Sequence, residues 1–189
     1  MFGRLLARVA RELDSAEIPY MIIGGQAVLL YGEPRLTRDI DVTLGIGVES
    51  SQAAIEVSLR AGLRPLPSEV ERFIVETYVL PTIDEESGIR VDFIFSQSSY
   101  EREAIARARP VEIGGTKVMF ASLEDLIVHK VVAGRPRDLE DARIVMAKNP
   151  HYDREYILKW LREFDEALQA SLGRTFEGLA QMGGDPGPS

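Results

Sequence analysis

The sequence predicts an α/β (α+β) fold: a small mixed β-sheet flanked by helices, with a helical C-terminal extension. Three observations predict it. Short apolar strands alternate with helices over about residues 18–120. A Gly24-Gly25 pair joins a strand directly to a helix, and beyond Phe120 the pattern turns helical. The expected organisation is one domain over 1–172, with an α/β core at about 18–120 and a helical part at about 121–172. Residues 173–189 are expected to be mostly a flexible tail, because Gly183 to Ser189 are dominated by Gly and Pro.

Each element has its own signal. Phe2, Leu5, Leu6, Val9 and Leu13 keep the helical period, so a helix is expected over about 2–16. Tyr20 to Ile23 is a short apolar strand, and Gln26 to Tyr31 a buried helix closed by Gly32 and Pro34. Asp39 to Leu44 alternates acidic and apolar residues as a strand does, and Ser51 to Ala61 is a helix stopped by Gly62. Strands are expected at about Phe73–Leu80 and Ile89–Phe95, joined by the acidic loop Asp84-Glu85-Glu86, then a helix from Tyr100 to Arg109 ended by Pro110. Gly114-Gly115 between Val111–Ile113 and Lys117–Phe120 signals a hairpin. Helices follow at about 122–133, 138–147 and 153–172.

Composition narrows the chemistry. With no cysteine among 189 residues, thiol catalysis, zinc ribbons and iron–sulfur clusters are excluded. Two histidines, His129 and His151, lack metal-ligand spacing. A net charge of −8 makes general nucleic-acid binding poor, though a local basic rim can still meet phosphates. No apolar run approaches the roughly 20 residues of a membrane span, and Arg4, Arg8 and Arg11 interrupt any signal-peptide core. The expectation is a soluble, cytoplasmic protein with no membrane partner.

The strongest local feature is Asp39-Ile40-Asp41-Val42. Side chains alternate along a strand, so Asp39 and Asp41 share a face with Cα atoms about 6.6 Å apart. Aspartate is a poor strand former, and two carboxylates so close repel. Asp92 stands in the apolar strand Ile89–Phe95, on the face opposite Ile89, Val91, Phe93 and Phe95. If the two strands are neighbours, three carboxylates converge, and an oxygen-only set suits Mg²⁺ or Mn²⁺. Taken alone, a D-x-D pair also suits a solvated edge strand. Gly24-Gly25 opens a helix whose free N–H groups would meet a phosphate; read alone, it is equally a tight strand–helix turn. It is neither a P-loop nor a dinucleotide fingerprint.

Ser122-Leu-Glu-Asp125 has the form of a helix cap, and Lys130 falls on the inward stripe of that helix with Leu123, Leu126 and Ile127. An inward lysine needs an anion such as a phosphate; with no ligand it either snorkels to solvent or pairs with an acid such as Asp41, Asp138 or Asp141. Asp138 suits a helix cap, with Asp141 completing a D-x-x-D box. Trp160 and Phe164 read as core, and Ser96, Ser98 and Ser99 as loop residues.

Together, Gly24-Gly25, a spacer from 26 to 38, Asp39-Ile40-Asp41-Val42 and a later strand with Asp92 resemble the nucleotidyltransferase superfamily typified by DNA polymerase β. The run Gly24-Gly25-Gln26-Ala27 with Arg35-Leu36-Thr37-Arg38-Asp39-Ile40-Asp41 looks like the opening of AbiEii/AbiGii-type abortive-infection toxins. Lys130 to Asp141 is similar to their later K-x-x-A-x-R-x-[K/R]-D-x-x-D segment. The resemblance covers about residues 18–146. It implies a nucleotidyltransferase fold and nucleotidyl transfer from an NTP to the 3′ end of a tRNA or to a protein hydroxyl, with a cognate antitoxin as partner. A small-molecule, aminoglycoside-type enzyme or a non-catalytic partner with the same fold are the alternatives. It also implies roles: Asp39, Asp41 and Asp92 as metal ligands and catalytic groups, and Gly24 and Gly25 as the triphosphate cradle. Arg35, Thr37, Arg38, Lys130, Asp138 and Asp141 would complete the nucleotide site.

Overall fold

The computed structural model describes residues 1–33, 37 and 39–183. These fall into two compact units: residues 1–26, 37 and 39–121 in the first, and 27–33 and 122–183 in the second. The helical part, together with residues 27–33, is a compact unit of its own.

The first unit opens with α1 (Phe2–Ser15), β1 (Tyr20–Ile23) and the start of α2 (Gly24–Tyr31). It continues with β2 (Asp39–Leu44), a single 3₁₀ turn (Val48–Ser50), α3 (Ser51–Arg60) and β3 (Arg64–Pro65). Then come α4 (Val70–Thr77), β4 (Val79–Asp84), β5 (Ile89–Phe95), α5 (Ser99–Ala106), β6 (Arg109–Ile113) and β7 (Thr116–Phe120). Among the described residues the strands form one seven-stranded mixed sheet in the order β3-β4-β5-β2-β1-β7-β6. β1 runs antiparallel to β2 and parallel to β7, while β2 runs parallel to β5. The outer pairs β3/β4, β4/β5 and β6/β7 are antiparallel.

Alternation decides which face of each strand is covered. Ile40, Val42 and Leu44 of β2 and Val91, Phe93 and Phe95 of β5 are fully buried. Asp39, Arg90 and Asp92 stand on the opposite, more open face. α1 buries Leu5, Leu6, Val9 and Leu13 and packs on β7 and α3. Each such side chain contributes about 1.5–3 kcal/mol by leaving water.

The second unit holds α6 (Leu123–Ala133), α7 (Pro136–Lys148), α8 (Arg154–Leu168) and α9 (Leu172–Gly183). Ser122 caps α6, its hydroxyl accepting from the Asp125 amide. Gly134, with φ +64°, ends α6 in the left-handed conformation that glycine adopts without strain. α6 packs on α7, α8 and α9. Among the described residues no helix is long and apolar enough to cross a membrane.

Four expectations are corrected. Residues 73–80 are not one strand: Val70–Thr77 is a helix, and the strand starts at Val79. The β-branched Ile74-Val75 pair suggested a strand, yet only Ile74 of that helix is buried, and Tyr78 ends it at φ +59°. Pro110 does not end the helix, which stops at Ala106 with Arg107 as its C-cap; Arg109 and Pro110 lie within β6. β6 is an edge strand, where a missing N–H disturbs the ladder least. The last long helix stops at Leu168, because Gln169 turns left-handed. Finally, the expected tail from 173 contains α9. Its apolar stripe at Leu172, Phe176 and Leu179 keeps the helical period, Phe176 is fully buried, and Asp165 accepts hydrogen bonds from the Leu172 and Gly173 amides. Residues 184–189 lie outside the described residues.

Candidate active site

The site is built on adjacent strands. In the β2/β5 register, Asp41 pairs with Asp92 and Asp39 with Arg90. Neighbouring strands lie about 4.8 Å apart and paired residues share a face, so the three aspartates stand on one surface of the sheet. On the other side of β2, Asp41 pairs with Ile23, the last residue of β1. Gly24 follows at once, and the helix α2 starts there.

Gly24 shows why glycine is required at this turn. Its φ is +64°, and a Cβ placed on it would sit 2.0 Å from Oδ2 of Asp41. The backbone at the head of α2 therefore comes into direct contact with the Asp41 carboxylate, and any side chain would displace it. A phosphate arriving at the first amides of α2 would lie beside that carboxylate. Gln26, on the first turn of α2, donates from Nε2 to Oγ1 of Thr37 at 2.6 Å. That bond holds Thr37 two residues before Asp39.

Asp92 is half-buried, and Nη2 of Arg90 lies 3.1 Å from both of its carboxylate oxygens. Burial raises its pKa above the ordinary value. The Arg90 hydrogen bond and charge oppose that only in part, and the negative charge of Asp39 adds to the rise. The surface thus carries more negative charge than Arg90 neutralises. Among the described residues no three His, Cys, Asp or Glu side chains are gathered closely enough to hold a metal ion as they stand. The donor chemistry nevertheless suits a hard divalent cation, because all three donors are carboxylates.

Sequence reading missed Arg90 as the partner of Asp92, although its position two residues earlier on the same strand face was the available signal. It also missed Pro81, which pairs with Asp92 from β4. Arg35 and Arg38 lie outside the described residues.

Lys130, Asp138 and Asp141 belong to the second unit. Lys130 is 5 % exposed, and its ammonium donates to Oδ1 of Asp138 at 2.7 Å and Oδ2 of Asp141 at 2.9 Å. Arg135 also donates to Asp138. Burial alone would raise the Asp138 pKa, but the hydrogen bonds and charges of Lys130 and Arg135 outweigh it and hold the carboxyl below its ordinary value. Lys130 does not snorkel: it ties α6 to α7. Asp138 is not the cap of α7, because the helix starts two residues earlier with Pro136 at its first position, where the missing N–H costs no hydrogen bond.

The comparison with protein families decides the assignment. Residues 4–149 match the family described as "Nucleotidyltransferase of unknown function (DUF6036)". The chain is a member of the DUF6036 family. It is thus a nucleotidyltransferase-superfamily protein, and α8 and α9 lie beyond the matched span. No curated protein matches the sequence significantly. Among solved structures, this DUF6036 chain is similar to the antibiotic-resistance factor ANT(2″)-Ia, at 18 % identity and a TM-score of 0.60, over 88 % of this chain and 94 % of that one. It is also similar to an antigenic nucleotidyltransferase-like protein from Paracoccidioides brasiliensis, at 19 % identity, a TM-score of 0.55 and coverage of 90 % and 91 %. The lincosamide antibiotic adenylyltransferase LnuA, with lincomycin bound, matches at 15 % identity, a TM-score of 0.52 and coverage of 75 % and 94 %. At these identities the shared feature is the fold: a mixed sheet flanked by helices.

Proposed function

We propose that this DUF6036 protein transfers a nucleotidyl group from an NTP to an acceptor hydroxyl, using a divalent cation such as Mg²⁺ or Mn²⁺. One observation carries the reading: the register that sets Asp41 between the Gly24 turn on β1 and Asp92 on β5. Asp39 and Asp41 would hold the cation, and Asp92 would complete the set while keeping its hydrogen bond from Arg90. A bound cation neutralises phosphate charge as it develops during transfer.

The chain's own groups do the rest. The first amides of α2, reached closely because Gly24 has no side chain, bind the triphosphate. Thr37, held by Gln26, lies beside that turn. Asp92, the carboxylate farthest from the Gly24 turn in strand order, would help to remove the proton of the acceptor hydroxyl. Arg35 and Arg38, which lie outside the described residues, are proposed to add positive charge for the phosphates.

Three acceptor classes suit this chemistry: an RNA 3′ end such as that of tRNA, a protein hydroxyl, or a small molecule. The first two would fit a toxin held in check by an antitoxin, as the toxin-type motifs suggest. The third would fit an enzyme acting as the names of ANT(2″)-Ia and LnuA indicate for those proteins. The alternative of a non-catalytic partner is opposed by the presence of all three carboxylates. Calorimetry with Mg²⁺ and each NTP tests the donor half: the wild type is expected to bind one NTP only with the cation, and Asp39→Asn to lose that dependence. NTP binding that is indifferent to both cation and Asp39 would refute the reading.

A further inference from the structure

The order of the strands lays the site out in one direction. β1 brings the Gly24 turn, β2 brings Asp39 and Asp41, and β5 brings Asp92. β4 follows with Pro81 directly opposite Asp92. If the phosphates lie at the β1 side, an acceptor hydroxyl able to reach Asp92 has to approach from the β4 side. A cavity of about 510 Å³ opens there, wholly within the first unit, and Arg90 and Pro81 are in its wall. Its remaining apolar lining comes from Leu66, Pro67 and Phe73, of which Leu66 and Phe73 are exposed. That volume lies within the range of small-molecule sites, and such a lining is typical of them.

Its charges are uneven. Arg72 is shared between Glu69, at 3.2 Å, and Glu76, at 2.8 Å, which leaves one negative charge over. Arg90 is already committed to Asp92. Among the described lining residues the cavity therefore offers an apolar floor, a surplus carboxylate and no surplus cation.

We infer that this cavity is the acceptor site and takes a small hydroxyl compound with an apolar body and a positive charge, not a phosphate-bearing polymer. The inference rests on the nucleotidyl-transfer reading for the step that follows. The acceptor oxygen bonds to the α-phosphorus, the bond from that phosphorus to the α,β-bridging oxygen breaks, and pyrophosphate leaves with the electron pair. The hydroxyl proton is released to water.

Three probes of one shape test the site: 4-(aminomethyl)benzyl alcohol, 4-methylbenzyl alcohol and 4-(hydroxymethyl)benzoic acid, titrated into isotope-labelled full-length protein and followed by NMR. The cationic alcohol should bind tightest, by about 2- to 5-fold over the carboxylate, as an exposed ion pair allows. Its shifts should centre on Leu66 and Phe73. Phe73→Ser should abolish them, and Glu76→Gln, which leaves the apolar lining intact, should remove the preference for the cation. Tightest binding by the carboxylate, shifts centred elsewhere, or no saturable shift with any probe would each overturn the inference. Titrating Mg²⁺–ATP into the same sample reads the Gly24 and Gly25 amides instead, so a failure of the nucleotide reading is seen separately from a failure of the cavity.

Discussion

Replacing Lys130 with methionine should destabilise the helical unit while preserving most of the side chain's bulk. The ammonium is buried between Asp138 and Asp141, at 2.7 and 2.9 Å. Removing it leaves Asp141 without that cation in a buried position, and leaves Asp138 with Arg135. Breaking a buried ion pair by deleting one partner costs about 3–5 kcal/mol. Arg135 points to the lower half of that range. For a chain of this size, 1 kcal/mol moves a melting temperature by about 2–4 °C, so the transition should fall by roughly 6–16 °C. The pH dependence has a definite sign. In the wild type, Asp138 has a lowered folded pKa, so its contribution is present above its ordinary pKa and is lost as pH falls through the lower folded value. In Lys130→Met, acidification instead neutralises carboxylates left with one cation fewer. The gap between the two proteins should therefore narrow as pH falls from 7 toward 4. Thermal melts by circular dichroism, with hydrogen exchange read at α6 and α7, give both quantities. An unchanged melting temperature, together with weaker Mg²⁺–NTP binding, would refute the structural role and return Lys130 to the phosphates.

Further outcomes follow from the first unit. Gly24→Ala should displace the Asp41 carboxylate and force a left-handed alanine, which costs about 1–2 kcal/mol in the backbone alone; stability and cation-dependent NTP binding should fall together, as melts and calorimetry would show. Asp92→Asn should leave stability at neutral pH unchanged or slightly raised, because it removes a buried acid facing Asp39 and loses only a half-exposed ion pair. An acid with a raised folded pKa favours the folded state less as pH rises from its ordinary value through the folded one; Asp92→Asn should lose that slope, measured as melting temperature against pH. Phe176→Ala should cost about 3–5 kcal/mol, since the ring is fully buried; a neutral result in chemical denaturation would remove α9 from the folded unit.

What the sequence made legible was whatever depended on local pattern. The alternation in Asp39–Leu44 and Ile89–Phe95 placed the aspartates on the face opposite the apolar residues, and the sheet pairs those two strands directly. The Gly24 turn was readable because a close approach and a positive φ admit few residues other than glycine. Three features mark where local pattern was not enough. Arg90 meets Asp92 along its own strand, but its place beside Asp39 appears only in the β2/β5 register. Lys130 was expected to meet a phosphate or, without one, to snorkel or pair with an acid such as Asp41, Asp138 or Asp141, and the fold supplies the last two from α7. The segment around Ile74 carries too little apolar periodicity to separate strand from helix, since a single buried residue anchors it.

The central claim, transfer of a nucleotidyl group through Asp39 and Asp41, is tested most directly by label transfer. Wild-type protein and Asp41→Asn, matched for melting temperature, are incubated with each α-³²P-labelled NTP, Mg²⁺ and a cell extract, which is then separated into RNA, protein and small molecules. The wild type should label one fraction from one NTP and lose the reaction when Mg²⁺ is chelated. Asp41→Asn should fall by at least about 100-fold, the scale on which loss of a transition-state charge contact is felt. Equal labelling by the two proteins, or a reaction indifferent to chelation, would contradict the account.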